Sequence, residues 1–179
     1  MQKYLAILSF FIFLSACNNK EKKKSNPVTV TKKIKIDSIV FPYKPLYSSN
    51  FNNDVSDMDL LTVLNSYKFW ESGFMVDLAD VYADTITYIP ADGRIYNGTK
   101  KGLLEEWIQK RDSIKSIQIQ IIAWTKVHEP VKGDNFIDVW YRETDTYKTG
   151  KVNVTNYADR KQLVNGKINW YSQYKQKAN

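Results

Sequence analysis

An α+β domain is the fold class this sequence predicts, with helices gathered ahead of an antiparallel sheet. Two observations carry that expectation. The stretch from Ser116 to Lys175 reads as four successive strands, Ile117–Val131, Asn135–Thr146, Lys151–Leu163 and Lys167–Lys175. The breaks fall at Lys132-Gly133-Asp134, Lys148-Thr149-Gly150 and Asn165-Gly166. Asn-Gly between two apolar-aromatic runs is the strongest short-range hairpin signal. Upstream, apolar residues recur at helical spacing, and such helices can cover one face of an antiparallel meander.

The chain opens on Met1-Gln2-Lys3, an apolar run from Tyr4 to Leu14, and Ser15-Ala16-Cys17. A short cationic start, an apolar core of this length and small residues before a cut site make a secretory signal over residues 1–16. The run is shorter than the roughly 20 apolar residues a bilayer span needs. Leu14-Ser15-Ala16-Cys17 resembles a bacterial lipobox, which implies lipidation (palmitate among the acyl groups) at Cys17 and an address in the cell envelope, with the outer membrane expected. More than one acyl chain on Cys17 would anchor stably where a single chain is marginal. Cys17 is the only cysteine, so neither an intrachain disulfide nor a thiolate metal site can form.

The net charge of +7 does not make this a nucleic-acid binder. Residues 17–35 carry seven lysines against one glutamate, whereas from Ile36 onward 18 basic residues balance 18 acidic ones. A nucleic-acid domain carries its basic patch on the fold itself. The Lys-rich segment reads as an extended tether, attracted to anionic headgroups or simply solvated. Residues 36–56 are too apolar for a free linker, through Ile36, Ile39, Val40, Phe41, Tyr43, Leu46 and Tyr47. Pro42 and Pro45 bar a regular helix there, so a strap laid across the domain is expected.

Residues 57–179 suit one domain. Asp57 is the expected cap of a helix from Met58 to about Glu71, with Leu60, Val63, Leu64, Tyr67 and Trp70 on one buried face and Ser72-Gly73 at its end. A second, short helix, about Phe74 to Tyr82, turns Leu78, Ala79 and Tyr82 inward. Thr85-Ile86-Thr87-Tyr88-Ile89 is β-branched and aromatic, and Asp92-Gly93 turns it into Arg94-Ile95-Tyr96. Asn97-Gly98 reads as a second turn, and Thr99 as the cap of a third helix from Lys100 to about Ile114 that buries Leu103, Leu104, Trp107 and Ile108.

The run Tyr82-Ala83-Asp84-Thr85-Ile86-Thr87-Tyr88-Ile89-Pro90, followed by Asn97-Gly98-Thr99 and an amphipathic helix, resembles the nuclear transport factor 2-like superfamily, with the SnoaL-like proteins as the nearest branch. The closing Asn165-Gly166-Lys167-Ile168 is similar to the same group. The resemblance implies three helices packed on a strongly curved antiparallel sheet, closing a cone with a pocket at its open end. Within the superfamily, ketosteroid isomerase uses a strand carboxylate just before a proline as base, and an acid and a tyrosine to hold the oxyanion; that enzyme also serves as a standard example of a carboxylic acid kept protonated. Here Ile89 precedes Pro90, so the base is missing, while Asp159 and Tyr67 stand near the acid and tyrosine positions. Loss of a general base commonly costs about 10²–10⁴-fold.

Tyr67, Trp70, Tyr82, Trp107, Trp140, Tyr157 and Tyr171 are the candidates to line the pocket, against the plainer reading of aromatic core. Asp138 shares a sheet face with Phe136, Trp140 and Arg142, which makes either an acid/base–cation pair or an ion pair near the rim. Asp138, Asp159 and Tyr67 are therefore the catalytic candidates. His128, the only histidine, reads as structural, which removes a three-histidine zinc site. Lys100 and Lys101 at a helix start can attract an anion or face water. No Gly-rich phosphate loop is present, and neither metal nor cofactor is expected. Strands Asn135–Thr146 and Lys167–Lys175 carry apolar groups on both faces, which a homodimer through the outer sheet face or a covering strap would explain equally. Three functions follow: a lipid-anchored module binding a small apolar or aromatic ligand without catalysis; a SnoaL-like isomerase, cyclase or hydratase using a pocket Asp; or an envelope scaffold.

Overall fold

The computed structural model describes residues 51–177. The signal segment, Cys17, the Lys-rich tether and the strap up to residue 50 lie outside the described residues. The elements are α1 (Asp57–Ser72), α2 (Met75–Asp80), β1 (Tyr82–Ile89), β2 (Tyr96–Thr99), α3 (Lys100–Asp112), β3 (Ile114–Glu129), β4 (Asp134–Tyr147), β5 (Val152–Val164) and β6 (Lys167–Lys177). The six strands form one sheet in the order β2-β1-β6-β5-β4-β3.

The meander follows the turn chemistry. Asn165 and Gly166 both take positive φ, 52° and 73°, the pair a two-residue hairpin turn requires. Beyond it, β5 and β6 run antiparallel from Val164↔Lys167 outward. The sheet is not wholly antiparallel, however. β1 lies parallel to β6, with a register shift between Tyr82 and Thr87. Register shifts also interrupt β3–β4 at Ile121/Ala123 and β5–β6 at Gln162/Leu163, and such bulges bend a sheet and raise its twist.

Several local expectations give way to competing bonds. Ser56, not Asp57, caps α1, accepting from the Asp59 N–H at 3.0 Å. Asp57 is occupied by Lys126 of β3 at 2.5 Å. Gly73, at φ 76°, ends the helix as expected. α2 stops at Asp80 because the Val81 carbonyl accepts the Ile168 N–H at 2.9 Å, so Tyr82 opens β1 instead of closing a helix. Asp92 accepts both the backbone N–H and the Nε of Arg94, at 3.0 and 2.9 Å, which holds residues 92–94 in the turn and delays β2 until Tyr96. Ile95 is left exposed.

Asn97-Gly98 is therefore strand and not turn, paired with Thr87 and Ile86. Gly98 serves another purpose there: a Cβ would meet the Tyr96 hydroxyl at 2.6 Å, and Gly102 is crowded in the same way. The two glycines make room for a ring whose hydroxyl donates to the Thr99 carbonyl at 2.8 Å. Thr99 caps α3 as expected, accepting from the Gly102 N–H. That helix ends at Asp112, since Ile114 already pairs with Tyr147. Ile108 lies outside its buried stripe of Leu103, Leu104 and Trp107 and is 40% exposed.

Val63, Leu78, Leu103, Ile137, Val139 and Ile168, all at most 2% exposed, come from the three helices and from β4 and β6 and form the centre of the core. Burying each aliphatic side chain contributes about 1.5–3 kcal/mol. Ahead of α1, Val55 is buried, and Asn52 forms an antiparallel bridge to His128 at the free edge of the sheet. The His128 ring is held by Asn135, Nδ1 to Oδ1 at 2.7 Å.

Candidate functional site

Strand alternation decides which side chains enter the space between helices and sheet. On β4 the inward set is Ile137, Val139, Tyr141, Glu143 and Asp145. On β5 it is Thr155, Tyr157, Asp159, Lys161 and Leu163, and on β6 Tyr171 and Gln173 complete the floor. α1 contributes Ser66, Tyr67 and Trp70, and α3 contributes Trp107 and Lys110. These walls close a cavity of about 60 Å³ whose lining includes Tyr67, Trp70, Tyr82, Tyr88, Trp107, Tyr141, Tyr157 and Tyr171. It adjoins a vestibule of about 240 Å³, rimmed by Asp92, Arg94, Glu106 and Lys175, with Tyr88, Trp107, Lys110, Tyr157 and Gln173 as common wall.

The rings pack against one another as much as against the space. Trp107 meets Tyr82 and Tyr88 edge-on, with centroids 5.3 and 5.7 Å apart, while Tyr88 stacks on Tyr171 and Tyr141 on Tyr157. A cavity of this volume holds only a few water-sized groups.

Beneath the rings lies a polar network. Tyr67 and Tyr171 both donate to Asp159 Oδ2 at 2.8 Å. Gln173 Nε2 donates to the hydroxyls of Tyr141 and Tyr171, at 3.0 and 2.8 Å. Asp159 Oδ1 is buried without a hydrogen-bond partner among the described residues. Burial raises the Asp159 pKa; Lys161 and the tyrosine hydroxyls pull the other way. Asp159 does not itself line the cavity. The hydroxyls stand between it and any occupant.

Lys161 does line the cavity and is only 2% exposed. Its Nζ donates to Ser66 Oγ at 2.8 Å and lies 3.8 Å from the Tyr67 ring centroid and 4.6 Å from that of Tyr171. Desolvation pulls its pKa down to about 8, against the attraction of Asp159. Glu143, on the opposite wall, accepts from Trp70 Nε1 at 3.1 Å. Burial, reinforced by the neighbouring Asp145, lifts its pKa to about 7. Asp145 is also raised by burial, and its Oδ1 has no hydrogen-bond partner among the described residues.

Six of the seven aromatic candidates, Tyr67, Trp70, Tyr82, Trp107, Tyr157 and Tyr171, thus share one cavity. Trp140 does not. It stands on the opposite face of the sheet, 42% exposed, in a shallow groove with Trp170 and Tyr174. Asp138 is on that outer face as well. Its two carboxylate oxygens take Nε and Nη2 of Arg160 at 2.6 Å, while Arg142 pairs with Asn156. The plainer reading of Asp138 holds, because the register sets Arg160 directly across from it. Of the anion-site lysines, Lys100 is paired with Asp84 at 2.9 Å, and Lys101 is exposed.

Sequence reasoning missed Lys161, Glu143, Gln173 and Ser66. The signal for Lys161 was available: Tyr157, Asp159 and Lys161 alternate, so an inward Asp159 carries Lys161 inward with it. For Glu143 it was masked, because both faces of β4 are apolar and either could be the core.

No family model and no curated protein matches the chain. Solved structures do. A hypothetical protein with a ketosteroid isomerase-like fold from Catenulispora acidiphila, in complex with trimethylamine, is 13% identical with a TM-score of 0.54, over 63% of this chain and 83% of its own. IdmH, a putative polyketide cyclase from Streptomyces antibioticus, is 11% identical with a TM-score of 0.54, over 66% and 91%. An LEH-like epoxide hydrolase of M. tuberculosis is 7% identical with a TM-score of 0.58, over 68% and 84%. Similarity at this identity concerns the fold alone. The three helices and the six-stranded mixed sheet of this chain are those of the nuclear transport factor 2-like, ketosteroid isomerase-like fold.

Proposed function

We propose that this domain binds a small organic ligand in its aromatic cavity, without turning it over, and is held at a bacterial envelope membrane by lipidated Cys17. The observation that carries the reading is the cavity itself, walled by six tyrosines and two tryptophans and adjoining a vestibule. Apolar walls with a few convergent polar groups are the usual build of a small-molecule site. The volume limits the buried end of the ligand to roughly four or five non-hydrogen atoms; anything larger extends into the vestibule. The Catenulispora acidiphila neighbour holds trimethylamine. Here the buried Lys161 ammonium disfavours a second cation, so the ligand is neutral or anionic. Against catalysis by Asp159 stand its place behind two hydroxyls and Ile89 before Pro90.

Native mass spectrometry of the full-length protein, released from membranes in detergent after exposure to envelope extract, tests this. A retained small molecule that survives unchanged supports the binding reading. An altered product moves the balance to enzyme chemistry, which the Glu143 pKa of about 7 at the cavity wall favours as the second reading. A protein that never retains a molecule refutes both and leaves the scaffold.

A further inference from the structure

The binding reading gives Lys161 no more than a say in the charge of the ligand. Among the described residues no carboxylate oxygen comes within ion-pair distance of its Nζ, and its one hydrogen bond goes to Ser66. Ser66 spends its own hydroxyl hydrogen on the Val63 carbonyl at 2.6 Å. It therefore accepts from Lys161 and has no hydrogen to offer in return. When the amine is neutral, one N–H is tied to Ser66, and among the described residues no side chain donates to the nitrogen. The rings of Tyr67 and Tyr171 close two sides of the nitrogen, and the cavity is the open one.

We propose that Lys161 is an imine-forming site for a small aldehyde or ketone held in the cavity. The inference rests on the binding reading and names the ligand class. The Nζ lone pair adds to the carbonyl carbon, the carbonyl π pair moves to oxygen, and a proton passes from nitrogen to that oxygen. A solvent proton then converts the hydroxyl to water, which leaves while the C–N double bond forms. Amine, carbonyl compound and one proton give a protonated imine and one water, with no oxidant or reductant involved. Hydrolysis by the reverse path releases the carbonyl compound.

One property suits the site to this step. The lysine is neutral far more often at pH 7 than an exposed one, because its pKa is about 8 against an ordinary 10.5; that is roughly 300-fold more free amine. A purely structural lysine, bracing Ser66 of α1 against β5, would not need that.

The test is reductive trapping on the full-length protein, with limiting propanal and cyanoborohydride at pH 7, followed by peptide mapping. The other lysines are internal controls. We expect the N-propyl group on Lys161 about tenfold or more faster than on exposed lysines, with the preference lost in denaturant, where every lysine returns to its ordinary pKa. Equal or slower labelling of Lys161 overturns the inference. The denaturant control keeps the test decisive even if Lys161→Met fails to fold. Native mass spectrometry separates the two claims: a molecule retained non-covalently with no trap at Lys161 sinks the imine and leaves the binding reading standing. No trap and no retained molecule sinks both.

Discussion

Tyr67 and Asp159, 92 residues apart in sequence, are joined by a hydroxyl-to-carboxylate hydrogen bond of 2.8 Å that ties α1 to the centre of the sheet. Tyr171 donates to the same oxygen. With Asp159 Oδ1 already unpartnered, little redundancy remains. Tyr67→Phe should cost about 1–3 kcal/mol, the usual penalty for stripping a buried polar group of a partner. Urea unfolding measures it; an unchanged midpoint would mean the bond contributes nothing.

The buried carboxyl groups give stability a definite dependence on pH. Asp145, Asp159 and Glu143 all have folded pKa values above their ordinary ones, so the native state holds protons that the unfolded chain has released. Raising pH through that window favours unfolding. Between the ordinary glutamate value of 4.5 and about 7, Glu143 alone should make the melting temperature fall. Glu143→Gln should flatten that fall, as read by thermal scans from pH 4.5 to 7.5.

Lys161 acts in a different window with the opposite slope. Its folded pKa of about 8 lies below its ordinary 10.5, so the unfolded chain binds more protons between the two. Stability contributed through Lys161 should rise with pH across that range, and Lys161→Met should remove the rise.

The two faces of the sheet should separate by mutation. Trp107→Ala removes a ring that touches Trp70, Tyr82 and Tyr88, and should lower stability by about 3–5 kcal/mol and weaken ligand retention. Trp140→Ala, on the outer face, should leave retention unchanged. We propose that this face pairs two copies of the chain, so Trp140→Glu should shift a dimer to monomer in sedimentation; a mass unaffected by Trp140→Glu would remove the proposal.

The proposed membrane anchoring rests on one residue. Cys17→Ser should move the protein from the detergent phase to the aqueous phase on Triton X-114 partitioning and stop incorporation of labelled palmitate.

Much of the fold is legible in the sequence because its signals are local. The Asn165-Gly166 turn, the Gly73 helix stop, the Thr99 cap and the four long strands each depend on a few adjacent residues. Where reading failed, a distant partner had decided. The Ile168 N–H ended α2 early, and Lys126 took Asp57 away from its capping role. Asn97-Gly98, a turn by composition, became strand because Arg94 closed the turn earlier and Tyr96 needed the space over Gly98.

The site divides in the same way. Alternation by itself places Tyr157, Asp159 and Lys161 on one face of β5, and Phe136, Asp138 and Trp140 together on one face of β4, since successive side chains must point apart. Which of those faces turns inward was not in the pattern, because β4 is apolar on both. Tertiary structure decided it. The helices, carrying Val63, Leu78 and Leu103, cover the face of Ile137 and Val139, so Glu143, Asp145, Asp159 and Lys161 are buried on it, while Asp138 and Trp140 stand on the outer face.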